Sequence, residues 1–282
     1  MNIIIRNADI VTDIQGIREV HKSDDHWGSD EACLASTLSS LENGFFIQVA
    51  VCDGKIVGHT EWVISDESLH RFLYLSLMQV HDDYQGMGVG TKLTESGVKY
   101  AVDNGCSFLR TMPNVESGSL TFYEKNGFVR TNVSNSTLKI ATTANLAPNA
   151  AHIDRVPFDV IKTLPLKVGL YQYSSAHIWK VYNTTHEHNR RTVSSFIIGG
   201  AYINIGAFGP TERASAACWS DELTLALIAD ILAVGGSLGY KYINFCVLTE
   251  AVPCFAGLDY ELSDEHDVFM ERCLYPERCV SN

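Results

Sequence analysis

The stretch Gln85-Gly86-Met87-Gly88-Val89-Gly90-Thr91 is the part of this chain best suited to chemistry. An apolar run with strand character, Phe72 to Val80, precedes it, and Lys92 to Asp103 after it reads as a helix closed by Asn104-Gly105. A strand that breaks into glycines and opens a helix leaves several backbone N–H groups unpaired. They lie at the positive end of the helix dipole, which suits an anion and above all a phosphate. The spacing narrows the choice of ligand. A dinucleotide fingerprint needs glycine where Thr91 stands, and a P-loop needs Gly-Lys-Ser/Thr where the order is Gly90-Thr91-Lys92. What remains is Gln85-x-x-Gly88-x-Gly90. A second segment, Ser119 to Phe128, reads as a short amphipathic helix with Leu120, Phe122 and Tyr123 on one face and Asn126-Gly127 as its C-cap.

The Gln85-x-x-Gly88-x-Gly90 pattern, with Val80-His81 upstream and Tyr84 beside it, resembles the acetyl-CoA-binding signature of the GCN5-related N-acetyltransferase (GNAT) family. The Tyr123 helix and its Gly127-Phe128 pair resemble that family's other recurring segment. The resemblance implies an α/β fold with a mixed, mostly antiparallel sheet, and acetyl transfer from acetyl-CoA to an amine by direct attack. The main-chain amides of Gln85, Gly86, Met87, Gly88, Val89, Gly90 and Thr91 would hold the coenzyme's pyrophosphate. The N–H of Met78 would face the thioester oxygen, Val80 would bond the pantetheine arm, and Tyr123 would protonate the leaving thiolate. The ordinary tyrosine pKa of about 10 makes that last transfer nearly level.

The base that deprotonates the amine is less legible. Where several family members carry Glu or His on the strand before the turn, this chain has Tyr74, with Ser76 two residues on. Glu61, His59 and His70 are the remaining candidates, acting through water. Glu61 reads either as that base or as an ordinary exposed strand carboxylate. His81 reads as a loop residue. Glu116 stands where an asparagine often holds the coenzyme arm, with Asn114 two residues earlier.

The elements that must position these residues alternate through the first half. A strand at Ile3–Arg6 precedes helices over about 12–22 and 30–42. Asp53-Gly54 is a two-residue hairpin signal between strands 45–52 and 55–64. Strand, glycine turn, helix, a strand at 107–112, the Tyr123 helix and a closing strand from Phe128 follow. Residues 143–151 read as a linker between a GNAT domain over 1–142 and a second unit over 152–282. That second half reads as strand (196–208, with Gly199-Gly200 inside), helix, strand, short helix and strand. It resembles a degenerate GNAT unit without a phosphate turn between Phe208 and Trp219.

Bulk properties restrict the partners. The net charge of −12 argues against nucleic acid and favours a cationic or neutral acceptor, such as a small-molecule or peptide amine. No apolar run approaches the roughly 18 residues of a membrane span, and Met1-Asn2-Ile3-Ile4-Ile5-Arg6 reads as a strand rather than a leader, so a cytoplasmic protein is expected. The eight cysteines contain no C-x-x-C pair, which argues against zinc and against a disulfide framework. His186-Glu187-His188 lacks metal-ligand spacing, and no metal is expected. A homodimer is compatible with all of this. The alternative to an enzyme is an acyl-CoA-binding sensor without turnover.

Overall fold

The computed structural model describes residues 2–21, 37–38, 40–67, 70–113, 118–143, 150–169, 174–183, 191–208, 211–263 and 268–275. The chain forms two units, one of residues 1–131 plus 268–282 and the other of 132–267.

The first unit contains β1 (Ile3–Asn7), α1 (Ile10–Val20), β2 (Phe46–Cys52), β3 (Lys55–Glu67), β4 (His70–Val80), α2 (Val89–Asp103), β5 (Phe108–Thr111), α3 (Ser119–Lys125) and β6 (Val129–Arg130). Asp9 caps α1 by accepting the Val11 N–H. Asp53 and Gly54 both take positive φ, 50° and 77°, which gives β2 and β3 the tight primed turn that matches strand twist. The seven-stranded sheet runs β1-β2-β3-β4-β5-β15-β6, where β15 is Met270–Cys273 from the end of the chain. Only β4 and β5 are parallel. Helix α2 covers one face: the ring of Trp62 lies where a Cβ on Gly97 would stand, 2.4 Å away. The core here joins Trp62, Leu73, Leu75, Ala101, Leu109, Tyr123 and Phe128 to Met270 of β15. Helix α1 covers the other face through Ile17 against Val49.

The second unit contains β7 (Asn135–Ala141), β8 (Ala150–Ile153), β9 (Leu166–Val168), α4 (Ser175–Asn183), β10 (Arg191–Ile198), β11 (Ala201–Phe208), β12 (Arg213–Trp219), α5 (Leu225–Ser237), β13 (Tyr242–Leu248) and β14 (Tyr260–Ser263). Its main sheet runs β8-β10-β11-β12-β13-β7-β14, with β12 and β13 parallel. That is the order and polarity of the first sheet, strand for strand, so the chain is an internal duplication. Each sheet takes its sixth position from the other half: β7 follows β6 but enters the second sheet, and β15 follows β14 but enters the first.

This exchange corrects the expected boundaries. The closing strand assigned to 1–142 is only the two-residue β6, because β7 pairs with β13 and β14, and the second expected domain gives up its last strand. Gly199-Gly200 is not inside a strand. It is the turn of the β10–β11 hairpin, with φ of 56° and 88°. Strand β12 and helix α4 were not foreseen. Cys273 is disulfide-bonded. The loop 23–29, Asn114, Glu116 and His186–His188 lie outside the described residues. Among the described residues, no helix is long and apolar enough to cross a membrane.

Candidate active site

Parallel pairing between β4 and β5 ends at Tyr74↔Arg110. Beyond it the strands splay, and among the described residues no strand pairs with that edge of β4 from Leu75 to Val80. The β3–β4 register skips Ser76, between Glu61↔Leu77 and Trp62↔Leu75, so β4 carries a bulge where the splay begins. His81 donates its N–H to Val57 O at 3.0 Å. With Gly58 opposite Val80 and His59 opposite Gln79, antiparallel alternation aims the N–H groups of Gln79 and His81 at β3. Those of Met78 and Val80 therefore face the open edge, as the main-chain roles expected of them require.

The edge leads into the glycine turn. Gly86 and Gly88 adopt φ of 73° and 83°, and a Cβ at either would meet nothing within 4 Å. Gly88 is the N-cap of α2 with no side-chain cap, and the first helical bond is Lys92 N–H to Gly88 O at 3.1 Å. The N–H groups of Gly88, Val89, Gly90 and Thr91 thus have no partner within the helix. Gly90 is glycine for another reason. A Cβ there would lie 3.0 Å from the Phe122 ring, so its missing side chain admits α3 and not a phosphate. Val89 is buried against Leu93, while Met87 is exposed. Gln85 braces the turn, donating to Val80 O at 3.2 Å and to Asp82 Oδ1 at 2.9 Å. His81 accepts the Asp83 N–H at its Nδ1, the loop role expected of it.

Tyr123 points into the first core, edge-on to Phe122 and Phe128. Its hydroxyl shares a hydrogen bond with Thr111, the last residue of β5, which sets the phenol at the closed end of the splay. Burial pushes its pKa up to about 12, with the Thr111 contact opposing that rise. The near-level transfer expected from an unperturbed phenol does not hold. Against a thiol near 8.5, the step is uphill by about 5 kcal/mol.

Glu61 is not an exposed carboxylate. It is fully buried on the α1 face of β3, beside His59. Ser40 Oγ donates to Glu61 Oε2 at 2.8 Å, His59 Nε2 stands 3.9 Å from Glu61 Oε1, and His59 Nδ1 meets His21 Nε2 at 3.0 Å. Tyr74 is also buried. The side chain of His70 lies outside the described residues. Among the described residues, no three of His, Cys, Asp and Glu gather as a metal centre needs.

The second unit has closed the corresponding cleft. Strand β9 pairs with Cys218 and Trp219 of β12, and Gly169 donates to Cys246 O of β13 at 2.9 Å, so a segment of the chain itself fills the splay. The loop before α5, Ser220-Asp221-Glu222-Leu223-Thr224, has no glycine and two acids, and Thr224 caps the helix by accepting the Leu227 N–H. Anion binding there is opposed by charge and by a satisfied helix end.

A mostly antiparallel sheet whose one parallel pair splays beside a glycine-opened helix defines the N-acetyltransferase fold. Residues 14–128 match the model of the acetyltransferase (GNAT) family, so the first half of the chain carries a domain of that family. Among solved structures, a GCN5-related N-acetyltransferase from Anabaena variabilis superposes with a TM-score of 0.70 at 13% identity, covering 97% of this chain and 73% of the other. One from Kribbella flavida gives 0.66 at 10% identity over 96% and 71%. A tandem GNAT protein from the clavulanic acid biosynthesis pathway gives 0.56 at 10% identity over 97% and 99%. At these identities the likeness is one of fold, and it extends over both halves. No curated protein matches the chain by sequence.

Proposed function

We propose that the chain is an acetyl-CoA-dependent N-acetyltransferase whose site lies wholly in the first unit. The observation that carries this reading is two sets of N–H groups left without a partner in the sheet or helix, those of Met78 and Val80 on the open β4 edge and those of Gly88–Thr91 at the start of α2. In this reading the main-chain N–H groups of Gly88 to Thr91 cradle the pyrophosphate, with Gly86 and Gly88 leaving the approach clear; contrary to the expectation for them, the N–H groups of Gln85 and Met87 are donated within the turn, to Asp82 O at 3.2 Å and Tyr84 O at 3.4 Å. Val80 bonds the pantetheine arm. The Met78 N–H meets the thioester oxygen as it gains charge, a contact whose loss typically costs about 3 kcal/mol.

The thioester supplies an activated acyl group. An amine that has lost one proton attacks it, the C–N bond forms, the C–S bond breaks, and the second nitrogen proton passes to solvent. Glu61 takes up the first proton through water. Tyr123, too weak an acid to give up its proton outright, hydrogen-bonds the departing thiolate, which collects its proton from solvent.

The test is turnover of acetyl-CoA with a panel of small-molecule and peptide amines, read as thiol release. Release that requires an amine supports the reading. Tight coenzyme binding without release with any amine supports instead a sensor, which the burial of both Tyr74 and Glu61 favours. Failure to bind the coenzyme removes both.

A further inference from the structure

Two polar side chains hold Tyr123 from opposite ends. Thr111, buried at the end of β5, meets the phenol with its hydroxyl. Arg272 of β15 donates from Nη1 to Asn126 O at 3.0 Å, the carbonyl just past the last turn of α3. From this arrangement we infer that Thr111 and Arg272 are positioning residues for Tyr123. Thr111 directs the phenol O–H toward the departing sulfur, and Arg272 secures the helix that carries the phenol. The inference rests on the acyl-transfer reading and deepens the role that reading gives Tyr123.

Hydrogen-bond roles fix the direction of the first contact. A phenol has one proton, and in acyl transfer that proton faces the thiolate. Thr111 then donates its Oγ–H to the phenol oxygen. Its contact opposes the rise in the tyrosine pKa, as a donor to that oxygen does.

Helix α3 needs the second support. Its seven residues are too few to hold a helix by themselves, and its N-cap, Gly118, offers no side-chain bond. At the other end the N–H groups of Asn126, Gly127 and Phe128 return to the carbonyls of Phe122, Tyr123 and Glu124. Asn126 O lies beyond their reach and accepts from Arg272. A Cβ on Gly127 would lie 3.5 Å from Arg272 Nε, so the guanidinium packs over this turn, where a positive charge also suits the helix dipole. One strand joins both supports. Met270 pairs with Thr111 and Arg272 with Leu109, and the Arg110–Glu271 ion pair between them locks the register.

The duplication supplies an independent comparison. Aligned on the last parallel pair of each sheet, Tyr74↔Arg110 and Ser215↔Asn244, Thr111 corresponds to Phe245 and Arg272 to Ile140. Phe255, in the short helix after β13, packs edge-on to Phe245 with ring centroids 5.3 Å apart, the counterpart of the Tyr123–Thr111 contact. Phe245, Phe255 and Ile140 are all buried in one apolar core, so hydrocarbon satisfies these three positions structurally. The half whose cleft is filled by β9 lacks the phenol, its hydroxyl partner and the guanidinium together. The half with the open cleft has all three.

With an amine found by the panel, Thr111→Val should lower kcat about tenfold, as expected when one hydrogen bond to a charged group is misdirected. KM for acetyl-CoA should stay within about twofold. Thr111→Ser keeps the hydroxyl and should remain within about twofold of wild type in kcat. Arg272→Ile installs the residue of the second sheet and should lower kcat about fivefold, whereas Arg272→Lys, still able to donate to Asn126 O, should recover most of that loss. Both effects run through the phenol, so in a Tyr123→Phe background neither Thr111→Val nor Arg272→Ile should change kcat by more than about twofold. Spectra of the full-length protein with ¹³Cζ-labelled tyrosine should show the Tyr123 resonance moving in Thr111→Val and returning in Thr111→Ser. Equal losses of kcat with and without the phenol mark a merely structural role and overturn the inference, as does full activity in folded Thr111→Val. If Arg272→Ile does not fold, the Thr111 variants decide alone. Wild-type protein that releases no thiol with any amine refutes acyl transfer itself, and a Tyr123 resonance indifferent to Thr111→Val then refutes the hydrogen-bond placement separately.

Discussion

The two glycines Gly88 and Gly90 belong to one motif but do different work, and substituting each separates coenzyme binding from packing. Gly88→Ala puts a methyl group into open space, since nothing lies within 4 Å of that Cβ, so no clash arises inside the protein. Its cost to folding is the backbone conformation alone: φ of 83° disfavours an L side chain by about 1–2 kcal/mol. The same methyl projects beside the N–H groups that would hold the pyrophosphate. Losing one or two charge-assisted hydrogen bonds of about 1.5–3 kcal/mol each weakens coenzyme A binding at least tenfold. Gly90→Ala does the reverse. Its Cβ meets the Phe122 ring at 3.0 Å, an overpacked contact costing about 1–3 kcal/mol, while its N–H still faces outward. Calorimetric titration with coenzyme A and urea unfolding of both variants read the two effects separately. Equal loss of affinity in both variants, or full affinity in Gly88→Ala, refutes the reasoning.

Gly97→Ala forces a methyl to 2.4 Å from the Trp62 ring and should destabilise the first unit by about 3 kcal/mol in urea melts. Tyr123 has a folded pKa of about 12 against an unfolded value near 10. Its contribution is therefore complete below pH 10 and falls, by at most about 3 kcal/mol, as pH rises through 12; unfolding midpoints at pH 9 and 11 should differ less in Tyr123→Phe than in wild type. Asp13 accepts from Arg6 Nη2 at 2.7 Å and from the Asp9 N–H at 2.8 Å, and the Arg6 bond holds its carboxyl below the usual range despite burial. That contribution is present above about pH 4 and is lost as pH falls through the depressed value. Asp13→Asn should cost about 1–2 kcal/mol at pH 7, with the exposed Arg6 limiting the loss, and flatten the acid limb of stability.

What could be read from the sequence was local. The Asp53-Gly54 turn, the strand into Gln85–Thr91 and the C-cap at Asn126-Gly127 each depend on a few adjacent residues, and each stands where expected. Misreadings came where tertiary context decides. Glu61 looked like a surface carboxylate because period-two alternation gives its face but not what covers it, and α1 and Ser40 supply the cover. The missing side chain of Gly90 looked like room for a phosphate because its spacing fits, yet Phe122, thirty-two positions on, takes up that space. The run Asn135–Ala141 is plainly strand-forming, but nothing in it states which sheet it joins. Filling of the second cleft by Leu166–Val168 was invisible for the same reason, since three residues carry no periodicity.

Translation meets this connectivity in a fixed order. The ribosome releases the glycine turn and the Tyr123 helix well before Met270, which is wholly buried in the same core. Until then Thr111 and Arg130 lack the neighbour that pairs with both, and the first unit waits as an incomplete sheet with unprotected edges. Cutting the gene at the apparent midpoint therefore yields two fragments that each lack one strand. A stop codon after residue 267 should abolish coenzyme binding although every residue assigned to that site is still present. The sheet of the first unit is thus closed only once synthesis has passed Cys273: shorter products carry the residues of the candidate site without the strand that joins β5 to β6.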